Sequence, residues 1–208
     1  MPATVCYGII STAHIALSRH VPAARESANS EILAISSRDE AKARKASESL
    51  GIPRWYGSYD AMLMDSDIDA VINPLPNSMH CEWTIKAAEA GKHILCEKPL
   101  AVTVEEARRM IAAAEANGVV LVEAFTPRWN PPMRKARRWI AEGEIGRVTS
   151  LHSALTFIID DPLDVRLSAE LAGGSLMDAG CYAVYACRFA LGSEPLRATA
   201  FASDVVDR

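Results

Sequence analysis

The segment that decides the fold is residues 4–16, TVCYGIISTAHIA. Residues 4–10 are an apolar run that predicts a buried strand, and the small residues after them lead into a helical pattern that reaches residue 27. A second apolar run, residues 31–35, precedes a polar turn, and residues 40–50 are then rich in alanine, lysine and glutamate up to a glycine. The chain therefore opens with two strand–turn–helix units.

Strands and helices continue to alternate up to residue 123. Further apolar runs predict strands, and helices are expected where alanine and charged residues repeat between start and stop signals. The strands are predicted at residues 70–72, 93–96 and 119–122, and the helices at residues 82–90 and 104–116. Such alternation is typical of a mostly parallel sheet with helices on both faces. We therefore predict an α/β domain of the Rossmann type, with a doubly wound parallel sheet, over residues 1–123.

The pattern changes after residue 123. A proline-rich segment is followed by a basic helical segment, and two runs that favour strands flank a second helical segment. The helices are predicted at residues 133–141 and 175–191, and the strands at residues 147–157 and 197–202. Because two strands rarely make a finished sheet, residues 124–208 are predicted to form an incomplete α+β domain with an antiparallel sheet.

Composition argues against several classes of function. The 208 residues carry a formal net charge of -4, and their lysines and arginines are scattered, so we expect no nucleic-acid partner. No apolar run reaches the roughly 18 residues of a membrane span, and the start of the chain lacks the regions of a signal peptide. We therefore expect no membrane partner and a cytoplasmic location. The cysteines form no CxxC pair, and no metal site is predicted.

The first turn occupies the place of a dinucleotide-binding loop. It contains Ser11, Thr12, Ala13, His14 and Ile15, where the G-x-G-x-x-G fingerprint would supply glycines that let the backbone approach a pyrophosphate. Taken alone, these residues fit an ordinary strand-to-helix turn equally well. Their position, after the first strand and at the start of the first helix, favours the cofactor loop.

The end of the second predicted strand indicates which nucleotide is bound. Ser37 and Arg38 stand where an NAD enzyme would place a carboxylate on the 2′-hydroxyl of the adenosine ribose. A guanidinium there can bind a 2′-phosphate through two parallel donors, so NADP is preferred and NAD is the less favoured cofactor. The alternative is that Arg38 is a solvated surface charge beside Asp39.

Candidate catalytic residues occur at a strand end and on a helix. Lys98 precedes Pro99, which ends the strand and would direct the ammonium into the crevice at the sheet edge. Asp178 and Tyr182 are four residues apart, a spacing that places both on one helix face. Free tyrosine titrates near about 10, and an ammonium at roughly 4 Å favours the phenolate by about 4 kcal/mol at an effective dielectric constant of about 20. Lys98 beside Tyr182 would therefore make the tyrosine a base near neutral pH.

Each of these residues also fits a purely structural role. Lys98 is compatible with an ordinary surface lysine, and Asp178 has the spacing of a capping box with Ser175. Tyr182 is compatible with a core aromatic whose hydroxyl has found a partner. The residue pattern alone leaves these alternatives open.

Four segments together resemble one known family. Residues 90–100, AGKHILCEKPL, resemble its AGKHVLCEKPL signature, and residues 74–80, PLPNSMH, resemble its loop against the nicotinamide. Residues 173–182 are similar to its GG-x-L-x-D-x-G-x-Y segment, and residues 36–39 to the adenosine-end motif of its NADP-using members. The chain thus resembles the glucose-fructose oxidoreductase-like (Gfo/Idh/MocA) dehydrogenases, particularly the branch of dihydrodiol and D-xylose dehydrogenases.

The resemblance implies a reversible hydride transfer between the nicotinamide of NADP and a hydroxyl-bearing carbon of a small-molecule sugar or cyclic diol. It implies that Lys98 orients the hydroxyl, that Tyr182 accepts the proton and that Asp178 positions the tyrosine. The turn, the second strand and the resemblance together predict one set of cofactor-binding residues. These are Ser11, Thr12, Ala13, His14, Ile15, Ser37, Arg38, Pro74, Asn77, His80, Glu97 and Lys98.

The resemblance also bears on the second domain. Relatives in this family continue beyond the counterpart of Arg208 and complete an antiparallel sheet that backs the substrate pocket and supplies a dimer interface. We therefore expect residues 124–208 to be part of a substrate and dimerisation domain, and a homo-oligomer if that domain is completed. Two other classes of function stay open: a non-catalytic dinucleotide-binding remnant or sensor, and a helical adaptor without a ligand, which the strand-ending motifs disfavour.

Overall fold

A six-stranded parallel sheet organises the first part of the chain in the computed structural model, which describes residues 4–201. Its strands are β1 (Val5–Ile10), β2 (Ser30–Ser36), β3 (Arg54–Tyr56), β4 (Ala70–Asn73), β5 (His93–Cys96) and β6 (Leu121–Glu123). They lie in the order β3-β2-β1-β4-β5-β6, and every neighbouring pair is parallel. The prediction of a Rossmann-type doubly wound sheet is confirmed. The strand order reverses between β1 and β4, where such sheets hold ligands.

The helices that connect these strands begin and end at local signals. They are α1 (Val21–Glu26), which follows a π-helical turn (Ala16–His20), α2 (Glu40–Leu50), α3 (Tyr59–Leu63), α4 (His80–Glu89) and α5 (Val104–Ala116). At the start of α2, the side chain of Asp39 accepts a hydrogen bond from the Lys42 N–H, and Gly51 ends the helix at a φ of 61°. Thr103 caps α5 in the same way. Both helices have the predicted bounds because their caps lie within the segment itself.

Two apolar clusters fill the space between the sheet and its helices. Adjacent residues of β1 belong to different clusters: Ile9 packs with Val21 and Ile35, whereas Ile10 packs with Met62 and Val71. Successive side chains of a strand point to opposite faces, so the clusters cover the two faces of the sheet. The core of a doubly wound domain is therefore complete within the segment that contains the sheet.

A charged cluster joins β3 to the end of α3, two elements that the sequence pattern does not predict. Arg54 on β3 donates to the Asp65 carboxylate at 2.7 Å, and the Tyr56 hydroxyl donates to the same oxygen at 2.7 Å. The Asp65 side chain is only 9% exposed. Burial raises the pKa of Asp65, but the hydrogen bonds from Tyr56 and Arg54 outweigh it and lower the pKa to about 2.

The contacts between residues divide the chain into two compact units. The first unit consists of Met1–Phe125 and Ile158–Asp178, and the second unit consists of Thr126–Phe157 and Ala179–Arg208. The second unit contains α6 (Pro131–Ala141) and α7 (Cys181–Leu191), which pack on each other. Since residues 158–178 belong to the first unit, the predicted division into domains at residue 123 stays a prediction.

The prediction of strands at residues 147–157 and 197–202 is wrong for the residues that the structure describes, which end at residue 201. Between residues 124 and 201 no strand is formed. An alternating pattern makes a strand only when a neighbour pairs with its backbone, and neither run has such a neighbour among the described residues. Within residues 4–201, no helix combines the length and the apolarity that crossing a membrane requires.

Asp65→Asn is expected to lower the free energy of unfolding at neutral pH by about 2 kcal/mol, because the folded state holds the ionised carboxylate. The pKa is lower in the folded state than its ordinary value of 3.8, so the contribution is present above about pH 4 and is lost as the pH falls through about 2. Urea denaturation of both proteins across this range measures the difference.

Asp67→Asn is the matched control for this experiment. The Asp67 carboxylate binds the same guanidinium at 2.7 Å but is 61% exposed, so its loss is expected to cost less than about 1 kcal/mol. Equal losses from the two substitutions would contradict the importance of burial.

Candidate functional site

A crevice of about 550 Å³ opens at the carboxyl ends of β1, β2 and β4. It brings together six residues predicted to bind a cofactor, namely Ser11, Thr12, Ala13, Ser37, Arg38 and Pro74. Five other residues complete its lining, namely Asp39, Lys42, Tyr59, Leu75 and Pro76. The first strand-to-helix turn and the end of the second strand therefore meet in one crevice, as the sequence predicts.

The turn after β1 holds a serine in a conformation that favours glycine. Ser11 has a φ of 102°, and its N–H donates to the Ser36 carbonyl at 3.0 Å. Its hydroxyl accepts a hydrogen bond from the Ala13 N–H at 3.2 Å. That bond offsets part of the backbone strain and shows how the turn forms without glycine. His14 and Ile15 are exposed at the start of the following helix and lie outside the crevice lining.

Two positively charged side chains follow β2 in the lining of the crevice. The guanidinium of Arg38 is exposed on the crevice, and Lys42 lies on the first turn of α2 beside it. The one carboxylate in the lining, Asp39, caps α2 and lies 4.0 Å from the Lys42 ammonium. Lys42 is not among the predicted cofactor residues, although its position four residues after Arg38 places it at the same helix end.

His80 is buried and links two loops at the sheet edge. Its Nε2 lies 2.7 Å from the Leu75 carbonyl oxygen, and its Nδ1 lies 2.9 Å from the Pro99 carbonyl oxygen. The side chain is fully shielded from solvent. His80 thus links these loops, and its predicted contact with the cofactor stays a prediction.

Two other predicted cofactor residues have protein partners. The Glu97 carboxylate lies 2.7 Å from Nε2 of His20, and both side chains are about five-sixths buried, at 15% and 16% exposed. The Asn77 amide donates to the Ala172 carbonyl at 2.8 Å. Neither residue lines the crevice as the structure describes it. Glu97 and Asn77 thus have partners within the protein, and their predicted contacts with the cofactor stay predictions.

Lys98 and Asp178 form a largely buried ion pair. The Lys98 ammonium donates to Oδ1 of Asp178 at 2.6 Å and to the Asp178 backbone carbonyl at 2.9 Å. The Lys98 side chain is 16% exposed and the Asp178 side chain is 15% exposed. Oδ2 of Asp178 lies 3.2 Å from the guanidinium of Arg166. The carboxylate thus holds the lysine in one place, which an ordinary surface lysine or a simple helix cap would not require.

Gly173 lets the segment that contains Arg166 approach closely. A Cβ atom on this glycine would lie 2.4 Å from the Arg166 carbonyl oxygen, a distance that no side chain tolerates. The neighbouring Gly174 donates its N–H to that carbonyl at 2.8 Å. The paired glycines of this segment are therefore needed for the position of Arg166 beside Asp178.

Tyr182 is the second residue of α7 and is half-buried. A π-helical turn (Leu176–Gly180) leads directly into this helix, so the predicted helix at residues 175–191 is confirmed except for its π-helical start. Asp178 belongs to the first unit and Tyr182 to the second. The predicted pairing of Tyr182 with Lys98 stays a prediction. Within the described residues, no three histidine, cysteine or acidic side chains cluster as a metal site would require.

Comparison with known proteins identifies the family. A family model described as an oxidoreductase family with an NAD-binding Rossmann fold, GFO/IDH/MocA, matches residues 5–125. The chain belongs to the GFO/IDH/MocA oxidoreductase family. A second model, the GFO/IDH/MocA C-terminal domain, matches residues 133–208. The resemblance inferred from the sequence is thereby confirmed.

Individual members of the GFO/IDH/MocA family are similar over most of the chain. D-xylose 1-dehydrogenase (NADP(+)) 2 of Haloferax volcanii is 44% identical over 97% of the chain, which covers 61% of that protein. Trans-1,2-dihydrobenzene-1,2-diol dehydrogenase of Xenopus laevis is 36% identical over 74% of the chain, which covers 46% of that protein. The crystal structure of a 3-ketoreductase from Actinomadura kijaniata with NADP and TDP-benzene superposes with a TM-score of 0.86 at 35% identity, covering 90% of the chain and 57% of that structure. The chain thus spans about three-fifths of the xylose dehydrogenase and of the ketoreductase, at 61% and 57% of their lengths.

A double-mutant cycle of Lys98→Gln and Asp178→Asn is expected to give a coupling energy of about 2 kcal/mol, because both charges are largely shielded from water. The free energies of unfolding of the two single variants, the double variant and the unchanged protein provide this value. Arg44 and Glu48 are the control pair, since their 2.8 Å contact is similar but their side chains are 65% and 63% exposed. Their coupling should be about 0.4 kcal/mol, and equal values for the two pairs would refute the proposed importance of shielding.

Proposed function

We propose that this chain carries the cofactor-binding and proton-transfer residues of an NADP-dependent oxidoreductase. The observation that carries the proposal is the crevice at the reversal of strand order, whose lining includes Arg38, Lys42 and the small side chains of Ser11 and Ala13. The cations would bind the adenosine end of a dinucleotide. The helix N-terminus after the first turn would bind its pyrophosphate. The comparisons support it, since relatives in this family include NADP-dependent enzymes.

The residues of the crevice fit a 2′-phosphate better than a 2′-hydroxyl. Arg38 supplies paired N–H donors, and Lys42 adds a second positive charge at the start of α2. The carboxylate of Asp39 accepts a hydrogen bond from the Lys42 N–H at the start of α2. NADP is therefore the preferred cofactor and NAD the less favoured one. When bound, the cofactor supplies the hydride acceptor or donor.

The Lys98–Asp178 pair is the proposed substrate-orienting group. Its ammonium is held by two oxygens of Asp178 at the end of β5, and an ammonium donates to oxygen acceptors such as a substrate hydroxyl. Tyr182 is the proposed proton acceptor from the substrate hydroxyl. Asp178 acts by holding Lys98, and its expected role in positioning Tyr182 stays part of the proposal.

The proposed substrate class is a sugar or cyclic diol oxidised at a hydroxyl-bearing carbon. Relatives of the chain support this class, since they include a D-xylose dehydrogenase and a dihydrobenzenediol dehydrogenase. The division into a Rossmann domain and a substrate domain, a homo-oligomer and a cytoplasmic location remain part of the proposal.

Cofactor preference is the first test. NADPH is expected to bind at least about tenfold more tightly than NADH, because only NADPH offers a phosphate to Arg38 and Lys42. Arg38→Gln with Lys42→Gln should remove this preference and leave NADH affinity nearly unchanged. A fluorescence titration measures both constants, and Lys45→Gln, an exposed lysine of α2 outside the lining, is the control. Equal affinities for the two nucleotides in the unchanged protein would refute the phosphate-recognition argument.

Tyr182→Phe is expected to abolish oxidation of D-xylose or a cyclic diol by NADP, with a loss of at least about 100-fold, since the variant lacks the proton acceptor. NADPH binding should be retained, which distinguishes loss of chemistry from loss of fold. Tyr185→Phe, one turn further along α7, is the control and should retain activity. NADPH binding without any turnover in the unchanged protein would instead favour a non-catalytic dinucleotide-binding protein.

A further inference from the structure

The second unit contains a pocket of about 430 Å³ that no part of the proposed function uses. We name it the arginine pocket; its lining consists of Arg128, Trp129, Arg134, Arg137, Arg138, Ala141 and Phe189. All of these residues belong to the second unit, and the four arginines are exposed. A volume of this size lies within the range typical of small-molecule sites.

The arginines of this pocket place several positive charges close together. Arg134 lies three and four residues before Arg137 and Arg138 on α6, spacings at which like charges repel each other on a helix. Arg138 has a nearby carboxylate, that of Glu142 at 3.9 Å. Within residues 4–201, no carboxylate lies within 4.0 Å of Arg128, Arg134 or Arg137. A bound anion would offset this repulsion.

Aromatic rings hold two of these guanidinium groups. The Arg137 guanidinium carbon lies 4.8 Å from the centre of the Phe189 ring, which in turn stacks on Tyr185 at 5.3 Å. The Arg128 guanidinium carbon lies 5.8 Å from the Trp129 ring. A guanidinium that contacts a ring through its face keeps its N–H donors, which lie in its plane, for a phosphate. The rings therefore preorganise the donors without occupying them.

Trp129 adds a second kind of surface to the pocket. Trp129 is 63% exposed, so its ring is accessible for stacking against a planar group. Lys135 lies on the same helix but outside the lining, and its ammonium is instead 4.6 Å from the Trp139 ring. The pocket thus combines several guanidinium groups with an open aromatic ring.

We propose that the arginine pocket is a second nucleotide site, which binds a nucleoside diphosphate. The two phosphates would bind the N–H donors of Arg134 and Arg137, and the base would stack on Trp129. The net charge of -4 on the whole chain argues against a long polyanion as the ligand, because the pocket is the exception on an acidic protein. This site is separate from the crevice in which the cofactor is proposed to bind.

Isothermal titration calorimetry with ADP, pyrophosphate and adenosine tests the proposal on the full chain. Arg134→Gln and Arg137→Gln are each expected to weaken ADP and pyrophosphate binding by about tenfold, whereas Lys135→Gln should leave both within about twofold. Any ADP bound in the cofactor crevice gives the same background in all these variants. Because Arg137 contacts Phe189, Arg134→Gln provides the second variant, and near-ultraviolet circular dichroism verifies the fold of both.

Trp129→Ala separates a nucleotide from a bare phosphate. It should weaken ADP binding by about fivefold or more and leave pyrophosphate binding unchanged, because only ADP has a base to stack. Unchanged ADP binding in this variant would overturn the nucleotide assignment. The absence of pyrophosphate binding, or an equal loss in Lys135→Gln and Arg137→Gln, would overturn the site itself.

Discussion

The ion pair between Lys98 and Asp178 is the constraint on which the candidate site depends. It joins the end of β5 to a segment eighty positions later in the chain, at a separation of 2.6 Å between largely shielded charges. Arg166 shares the carboxylate, and Gly173 allows the Arg166 backbone to approach. A charge removed from water in this way is costly without its partner, so each of these residues depends on the others.

The sheet provides the frame for this pair and for the crevice. Parallel strands bring their carboxyl ends to one edge, and the reversal of strand order separates the loops there. Polar residues at that edge are then joined by hydrogen bonds from one loop to another, such as those of His80 and Asn77. The exposed arginine and lysine at the end of β2 are left facing the opening.

Local features of the fold could be predicted from the sequence, and non-local ones could not. The bounds of α2 and α5 follow from caps within a few residues, such as Asp39 and Thr103. The short strand β3 has only three residues, too few for a periodic pattern. The strand predicted at residues 147–157 failed because pairing needs a partner from elsewhere in the chain. For the same reason, the motifs predict a candidate site at the sheet edge but could not show that His80 faces two carbonyl groups.

The burial of His80 has a consequence for the thermodynamics of ligand binding. Since one imidazole bridges Leu75 and Pro99, the loops after β4 and β5 cannot drift independently. The rim that a ligand meets is then largely preorganised, and little conformational entropy is lost when the ligand arrives. Affinity at this edge should accordingly be governed by the contacts themselves and much less by the ordering of flexible backbone.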